Sequence, residues 1–273
     1  MMAFYEYFLL SLVHYIIFLR SLVLDSLVVL KKYALFSLDI PVHLVNGLGL
    51  SGIKSGSDQS AWHALKNDAT NLRKIPKHIG LVVVEDEFSF TDIANMVVWC
   101  VGFGAKFISL YDAKGKFKRN DQVIAAEIFK KQEHFFQEDR CQFSFEVGKS
   151  YIDGKNNGVS DTGKISIKLL SPCDGRQGVV KVSQQVCRAI QDKTQSIEDV
   201  NLSHLETLMQ ARSQCPDPDL VIRCGSVHSL LGYLPWQTRL TEIHWINSHI
   251  GVDYSDVYGI MQAFSKCDQR FGK

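Results

Sequence analysis

Asp217-Pro-Asp-Leu-Val-Ile-Arg-Cys-Gly-Ser-Val-His-Ser-Leu-Leu-Gly-Tyr-Leu-Pro-Trp-Gln237 is the most informative stretch of this chain. Leu220–Arg223 within it is a short apolar run and predicts a strand. Beyond it, Trp236–Thr241 reads as a short helix and Ile243–Ile246 as another strand, and the helical spacing of Ser255–Cys267 closes the pattern. Toward the N-terminus the same alternation continues. Asp58 is placed to cap a helix running to about Lys74, with Trp62, Leu65, Ala69 and Leu72 on one face and Pro76 as its stop. Ile79–Val84 is a continuous apolar run, as expected of a strand covered on both faces. Thr91–Val101 (helix), Phe107–Tyr111 (strand), Asn120–Glu138 (helix), Phe143–Val147 and Ile165–Leu170 (strands) follow, then helices near Arg176–Lys193 and Leu202–Arg212. Six strands alternating with helices predict an α/β domain with a mostly parallel sheet flanked by helices.

Composition agrees with that class and excludes others. Of the 273 residues 46% are hydrophobic, 22% charged and 11% aromatic, which rules out disorder, collagen-like repeats and a coiled-coil rod. Lys+Arg 30 against Asp+Glu 29 leaves a net charge of +1, too little for a nucleic-acid partner held by counterion release. Charged residues throughout everything after residue 50 rule out a polytopic membrane protein. The seven cysteines (Cys100, Cys141, Cys173, Cys187, Cys215, Cys224 and Cys267) form no Cys-x-x-Cys pair, so reduced thiols in a cytosol-facing domain are expected. The nine histidines lack metal-ligand spacing and read as structural or surface residues.

The front end differs. Tyr7–Leu19 carries no charge, Arg20 and Asp25 interrupt, and Ser26–Leu30 is apolar again before Lys31-Lys32. Tyr7–Leu30 is long enough to span a bilayer if Arg20 and Asp25 sit near one end, and an interfacial or core helix is the alternative. Lys31-Lys32 would place the body on the cytoplasmic side. The expected organisation is a membrane anchor over 1–45, a Gly/Ser-rich linker over 46–57 and the α/β domain over 58–273.

Two phosphate-binding patterns fail on context. Gly47-x-Gly49-x-x-Gly52 is followed by further turn residues rather than a helix, and Asp68, at the distance of the ribose acid, lies in a helical pattern. Gly158-x-x-x-x-Gly163-Lys164 is followed by Ile165 where Ser or Thr would hold magnesium, and then by a strand pattern. The Asn201-Leu-Ser203 sequon would stay unmodified in a cytosolic body.

The opening stretch resembles the signature of the cis-prenyltransferases, Asp-Leu-x-Ile-Arg-Thr-x-Gly-Glu-x-Arg-x-Ser-Asn-Phe-Leu-x-Trp-Gln. Asp219, Leu220, Ile222, Arg223, Leu234, Trp236 and Gln237 match, with Tyr233 in place of Phe. The departures fall on the chemistry: the family's Glu is Val227, its second Arg is Ser229, its Ser is Leu231 and its Asn is Gly232. At the first strand the family's His-x-Ala-Ile-Ile-Met-Asp-Gly-Asn-Gly has become His78-Ile-Gly-Leu-Val-Val-Val-Glu-Asp-Glu87. Val84 replaces the aspartate that serves the magnesium-diphosphate, and Glu85 and Glu87 would repel a diphosphate. After the second strand, Ala113-Lys-Gly-Lys-Phe-Lys-Arg119 keeps only the tail of the family's Phe-Ser-Thr-Glu-Asn-Trp-Lys-Arg.

From Ile75 to Lys273 the chain is similar to the Nogo-B receptor family, the accessory subunits of dehydrodolichyl diphosphate synthase. Met96–Cys100, Phe117–Asn120, Leu234–Glu242 and the ending Arg270-Phe-Gly-Lys273 carry that likeness. It implies a chain with no catalytic residues or metal site of its own, paired with a catalytic cis-prenyltransferase subunit that binds Mg2+. Arg270 and Gly272 would complete the partner's isopentenyl diphosphate site in trans: arginine grips two diphosphate oxygens, and glycine has no Cβ to keep its N–H away. It further implies farnesyl diphosphate as the second substrate, a dolichol precursor for protein glycosylation as product, and the endoplasmic reticulum membrane as location. Arg223 reads as a structural ion-pair partner for Asp217 or Asp219, and Tyr233, Trp236, Gln237 and Phe271 as structural or interface residues. The alternatives are a membrane-tethered scaffold or receptor with no part in prenyl transfer, and a stand-alone homodimeric synthase.

Overall fold

A computed structural model describes residues 58–136, 144–148, 150–152, 164–213 and 215–268. The elements run α1 (Asp58–Thr70), β1 (His78–Val83), α2 (Phe90–Phe103), β2 (Phe107–Asp112), α3 (Lys116–Arg119), α4 (Asp121–Phe136), β3 (Ser144–Val147), β4 (Ser150–Ile152) and β5 (Lys164–Leu170). Then come α5 (Arg176–Gln191), a 3-10 turn (Ile197–Asp199), α6 (Leu202–Ser213), β6 (Leu220–Cys224), β7 (Glu242–Ile246) and α7 (Tyr254–Lys266).

The strands form one sheet in the order β4-β3-β5-β2-β1-β6-β7. Six are parallel, with β1 central between β2 (Leu81 opposite Leu110) and β6 (Leu81 opposite Ile222). The seventh strand corrects the expected count. β4 folds back antiparallel on β3 after Gly148, whose φ of 58° allows the tight reversal. A second correction concerns Trp236–Thr241, which forms consecutive turns rather than a helix. Leu231 and Leu234 both adopt positive φ, and Tyr111 Oη donates to the Leu231 carbonyl at 2.7 Å, so tertiary contacts set this segment's path.

Side chains alternate across β1 as the pleat requires. Ile79, Leu81 and Val83 enter the larger core with Leu65, Ile93, Met96, Val97, Phe117 and Met261, from helices α1, α2, α3 and α7. Val82 faces the other way, toward Tyr111, Val221, Tyr233 and Leu234. Gly80 shares that second face, and its missing side chain is what lets Tyr233 in. A Cβ there would lie 2.3 Å from Tyr233 Oη. The phenol then reaches Ser109 Oγ at 2.7 Å, Ser109 reaches His78 Nε2 at 2.9 Å, and His78 Nδ1 meets the Pro216 carbonyl at 2.6 Å. A carbonyl can only accept, so the chain runs one way: Tyr233 donates to Ser109, Ser109 to His78 and His78 to Pro216.

No helix among the described residues is long and apolar enough to cross a membrane. The expected anchor and linker, residues 1–57, lie outside the described residues, as do the loop 153–163 and the tail positions Arg270, Phe271 and Gly272. Six cysteines are described as free thiols: Cys100, Cys215 and Cys224 are buried, Cys173 and Cys187 exposed, and Cys267 intermediate.

Candidate functional site

In a doubly wound sheet, ligands bind beyond the carboxyl ends of the strands, where the chain switches direction across the sheet. Here the chain first builds outward from β1 through β2 and later returns to β1's other side with β6. The crevice expected from topology therefore lies where β1 and β6 end, beside the ends of β2 and β5.

At the end of β1, Val84 is half-buried and donates its N–H to the Cys224 carbonyl at 2.9 Å. Glu85 accepts from the backbone N–H of His249 at 2.9 Å and from His249 Nδ1. Because Ser89 N–H donates to His249 Nε2 at 3.0 Å, the buried imidazole holds its proton on Nδ1 and points it at the carboxylate. Asp86 pairs with Lys114, whose hydrogen bond and charge hold its carboxyl below the usual range. Lys116 donates to the Asp86 carbonyl and lies 4.4 Å above the Phe88 ring.

β2 ends in Asp112, a buried carboxylate that accepts from the N–H groups of Lys114 (2.9 Å), Lys116 (2.8 Å) and Phe117 (3.0 Å). Such a cluster of converging N–H groups is an anion cradle, and the chain's own carboxylate fills it. Past β5, Asp174 accepts from Ser171 N–H (2.8 Å), Ser171 Oγ (2.9 Å) and Lys118 Nζ (2.6 Å). Burial raises its pKa, but the bonds from Lys118 and Ser171 outweigh that and leave it lowered.

Arg223 closes the end of β6. The residue is buried, at 4% exposure, and its guanidinium donates to the carbonyls of Gly225 (2.8 Å) and Val227 and lies 3.4 Å from His228 Nδ1. The expected partner Asp219 is engaged elsewhere, by the N–H groups of Lys77 (2.7 Å) and His78 (3.0 Å). Arg223 thus binds backbone carbonyls rather than an aspartate. Gly225 is required by close approach: its φ is 119°, and a Cβ would lie 2.7 Å from Val84 Cγ2 and 2.8 Å from Glu85 Cγ.

Glu85, Asp86, Asp112, Asp174 and Arg223 are therefore each matched within the chain. A diphosphate would have to break these pairings and face two carboxylates at the end of β1. Val84 and Val227 offer no oxygen to a magnesium ion, Ser229 is exposed and accepts from Leu231 N–H (3.1 Å), and no group of three His, Cys, Asp or Glu side chains suited to a metal occurs among the described residues. The residues here do not fit the magnesium-diphosphate that the family resemblance implies.

The remaining expected residues lie in the turns between β6 and β7. Tyr233 is buried in the smaller core. Trp236 is half-buried, with Arg239 5.5 Å from its ring, and Gln237 is buried. Trp236 Nε1 and Gln237 Oε1 are buried without a hydrogen-bond partner among the described residues. Sequence reading gave His249 the structural role it has but missed its pairing with Glu85, and it missed Asp112. For Asp112 a signal existed, an acid at the head of the glycine-containing turn Ala113-Lys-Gly-Lys116, the pattern of a carboxylate capping its own turn.

Residues 87–272 match the family described as "Putative undecaprenyl diphosphate synthase". The chain belongs to the cis-prenyltransferase family. Among cis-prenyltransferase relatives, it is 38% identical over 227 residues to the human protein named dehydrodolichyl diphosphate synthase complex subunit NUS1, covering 82% of this chain and 75% of that one. It is 25% identical over 213 residues to the Schizosaccharomyces pombe subunit of the same name, covering 76% and 81%. Lavandulyl diphosphate synthase from Lavandula x intermedia, solved with dimethylallyl diphosphate, shares the cis-prenyltransferase fold at a TM-score of 0.50 and 14% identity, covering 72% and 98%.

Proposed function

We propose that this chain is a non-catalytic, activating and membrane-anchoring subunit of a dehydrodolichyl diphosphate synthase complex. The observation that carries the reading is the closed pole: Glu85, Asp112, Asp174 and Arg223, beyond or at the ends of β1, β2, β5 and β6, are already matched by groups of the chain itself. Catalysis then falls to a partner. The partner would supply the aspartate that holds magnesium, and magnesium held there would provide the electrophilic assistance that an allylic diphosphate needs to leave. The complex condenses farnesyl diphosphate with successive isopentenyl diphosphates in cis, giving the dolichol precursor for protein glycosylation.

A surface suited to such a partner is at hand. β7 is an edge strand whose outward residues Ile243 and Trp245 are 45% and 61% exposed, with Val227 and Leu240 exposed nearby in sequence and fold. An apolar edge strand of this kind matches the composition of a partner interface. Residues 1–45 would hold the complex at the endoplasmic reticulum membrane, and Arg270 and Gly272 would reach across to the partner's isopentenyl diphosphate. Arg270→Ala in the co-expressed pair tests this. Loss of a charge-assisted fork should cost about tenfold or more in activity while the pair still co-purifies. Unchanged activity would instead support the scaffold reading.

A further inference from the structure

The C-terminal helix α7 ends at Lys266, and the chain leaves it through Cys267 and Asp268, two residues before the tail that carries Arg270. This exit has no glycine cap. Cys267 is extended, at φ −75° and ψ 125°, and its N–H returns to the Phe264 carbonyl at 3.1 Å. The last carbonyls of a helix need donors, and its negative dipole end favours a cation.

Both come from the far end of the domain. The backbone N–H of Arg73 donates to Ser265 Oγ at 2.6 Å. Lys74 Nζ donates to the Cys267 carbonyl, 193 positions away in sequence, and stands 4.4 Å from the centre of the Phe264 ring. Glu242, which opens β7, backs this contact from the other side. It takes His244 Nε2 on Oε1 at 2.8 Å, leaves Oε2 buried without a conventional partner, and faces the Cys267 thiol as a weak donor. Burial raises the Glu242 pKa, but the bonds from Cys267 and His244 and the charge of Lys74 outweigh it.

We infer that Lys74, backed by Glu242, is a positioning residue that fixes the direction in which the C-terminal tail leaves the domain. This rests on the reading that Arg270 acts in a partner's site. A tail anchored at its root searches less space, so the fixed exit raises the fraction of time the arginine spends in reach of diphosphate. The same contact ties the segment after α1 to the residue that follows α7.

The test uses the full chain in complex with its catalytic partner. Lys74→Met keeps the stem over Phe264 but removes the ammonium; Lys74→Arg retains a charged donor. Hydrogen exchange across residues 264–273 reads the clamp itself, and the KM for isopentenyl diphosphate reads its use. Lys74→Met should speed exchange at Cys267 and Asp268 and raise that KM roughly tenfold with kcat little changed, the factor of one charge-assisted bond. Lys74→Arg should restore both. In an Arg270→Ala background, Lys74→Met should add no further kinetic loss. Unchanged exchange overturns the clamp. Faster exchange with an unchanged KM, or a KM effect that persists without Arg270, overturns the positioning role. If Arg270→Ala is silent while Lys74→Met still loosens the exit, the clamp stands and the trans reading of the tail fails.

Discussion

Replacing Gly80 with alanine should damage this domain far more than a buried methyl normally does. The new Cβ would sit 2.3 Å from Tyr233 Oη, 2.8 Å from Tyr233 Cζ and 3.1 Å from Val221 Cγ2. Restoring an ordinary 3.4 Å contact moves the phenol by about 1 Å in an interior that packs like a crystal. That displacement breaks the 2.7 Å bond from Tyr233 to Ser109, the first link in the buried chain to His78 and Pro216. Overpacking costs about 1–3 kcal/mol and an unmade buried hydrogen bond about 1–3 more, so about 2–6 kcal/mol in all is expected. Urea unfolding of residues 58–273 as part of the full chain, followed by near-UV circular dichroism, measures it. Tyr233→Phe removes the closest atom and the bond together, so Gly80→Ala should cost clearly less in that background than in the wild type. Additive costs, or a loss below about 1 kcal/mol for Gly80→Ala alone, would refute the reasoning.

Other consequences are equally open to measurement. Burial lowers the His78 pKa below 6.5 despite the Pro216 carbonyl and the charge of Asp219, so the unfolded chain takes up the proton first. Stability should be full above about pH 6.5 and fall as the pH drops below it, by up to about 1.4 kcal/mol per pH unit, and a His78→Gln variant should lose that part of the slope in urea midpoints. Arg223→Lys should not rescue the loop at the end of β6, because Nη1 meets the carbonyls of Gly225 and Val227 while Nη2 lies 3.4 Å from His228 Nδ1, two positions that one ammonium nitrogen cannot fill; a loss of about 2–4 kcal/mol is expected in chemical unfolding, and a loss under 1 would contradict the role. Trp245→Asp should leave the chain's own melting temperature within a degree or two but reduce co-purification of the catalytic partner at least tenfold, as expected for an aromatic anchor at an interface.

What the sequence disclosed follows the physics of each signal. β1 and β6 were legible because buried parallel strands carry continuous apolar runs, β2 because its run is broken only by Ser109, and β5 because Ile165-Ser-Ile-Lys-Leu169 alternates as a strand does. β4 was not, since three residues after a glycine turn carry no period. The turns at 236–240 imitate a helix locally, with Gln237 and Thr238 both bonded to the Leu234 carbonyl, and only the packing of Tyr233 and Leu234 decides otherwise. At the site, the replacements Val84 and Val227 could be read by alignment with the family pattern. The long-range pairings could not: Glu85 at the end of β1 meets His249 across 164 positions, and Lys74 meets the residue after α7, Cys267, across 193. Long-range hydrogen bonds leave no local trace in composition or spacing, and Arg223's choice of carbonyls over Asp219 depends on where the β6 loop turns.

The most direct measurement of the central claim is incorporation of labelled isopentenyl diphosphate onto farnesyl diphosphate by this chain alone, by its catalytic paralogue alone and by the two co-expressed. Product formed only, or at least tenfold faster, by the pair is the result expected of an accessory subunit with a closed pole. Product formed by this chain alone would contradict it.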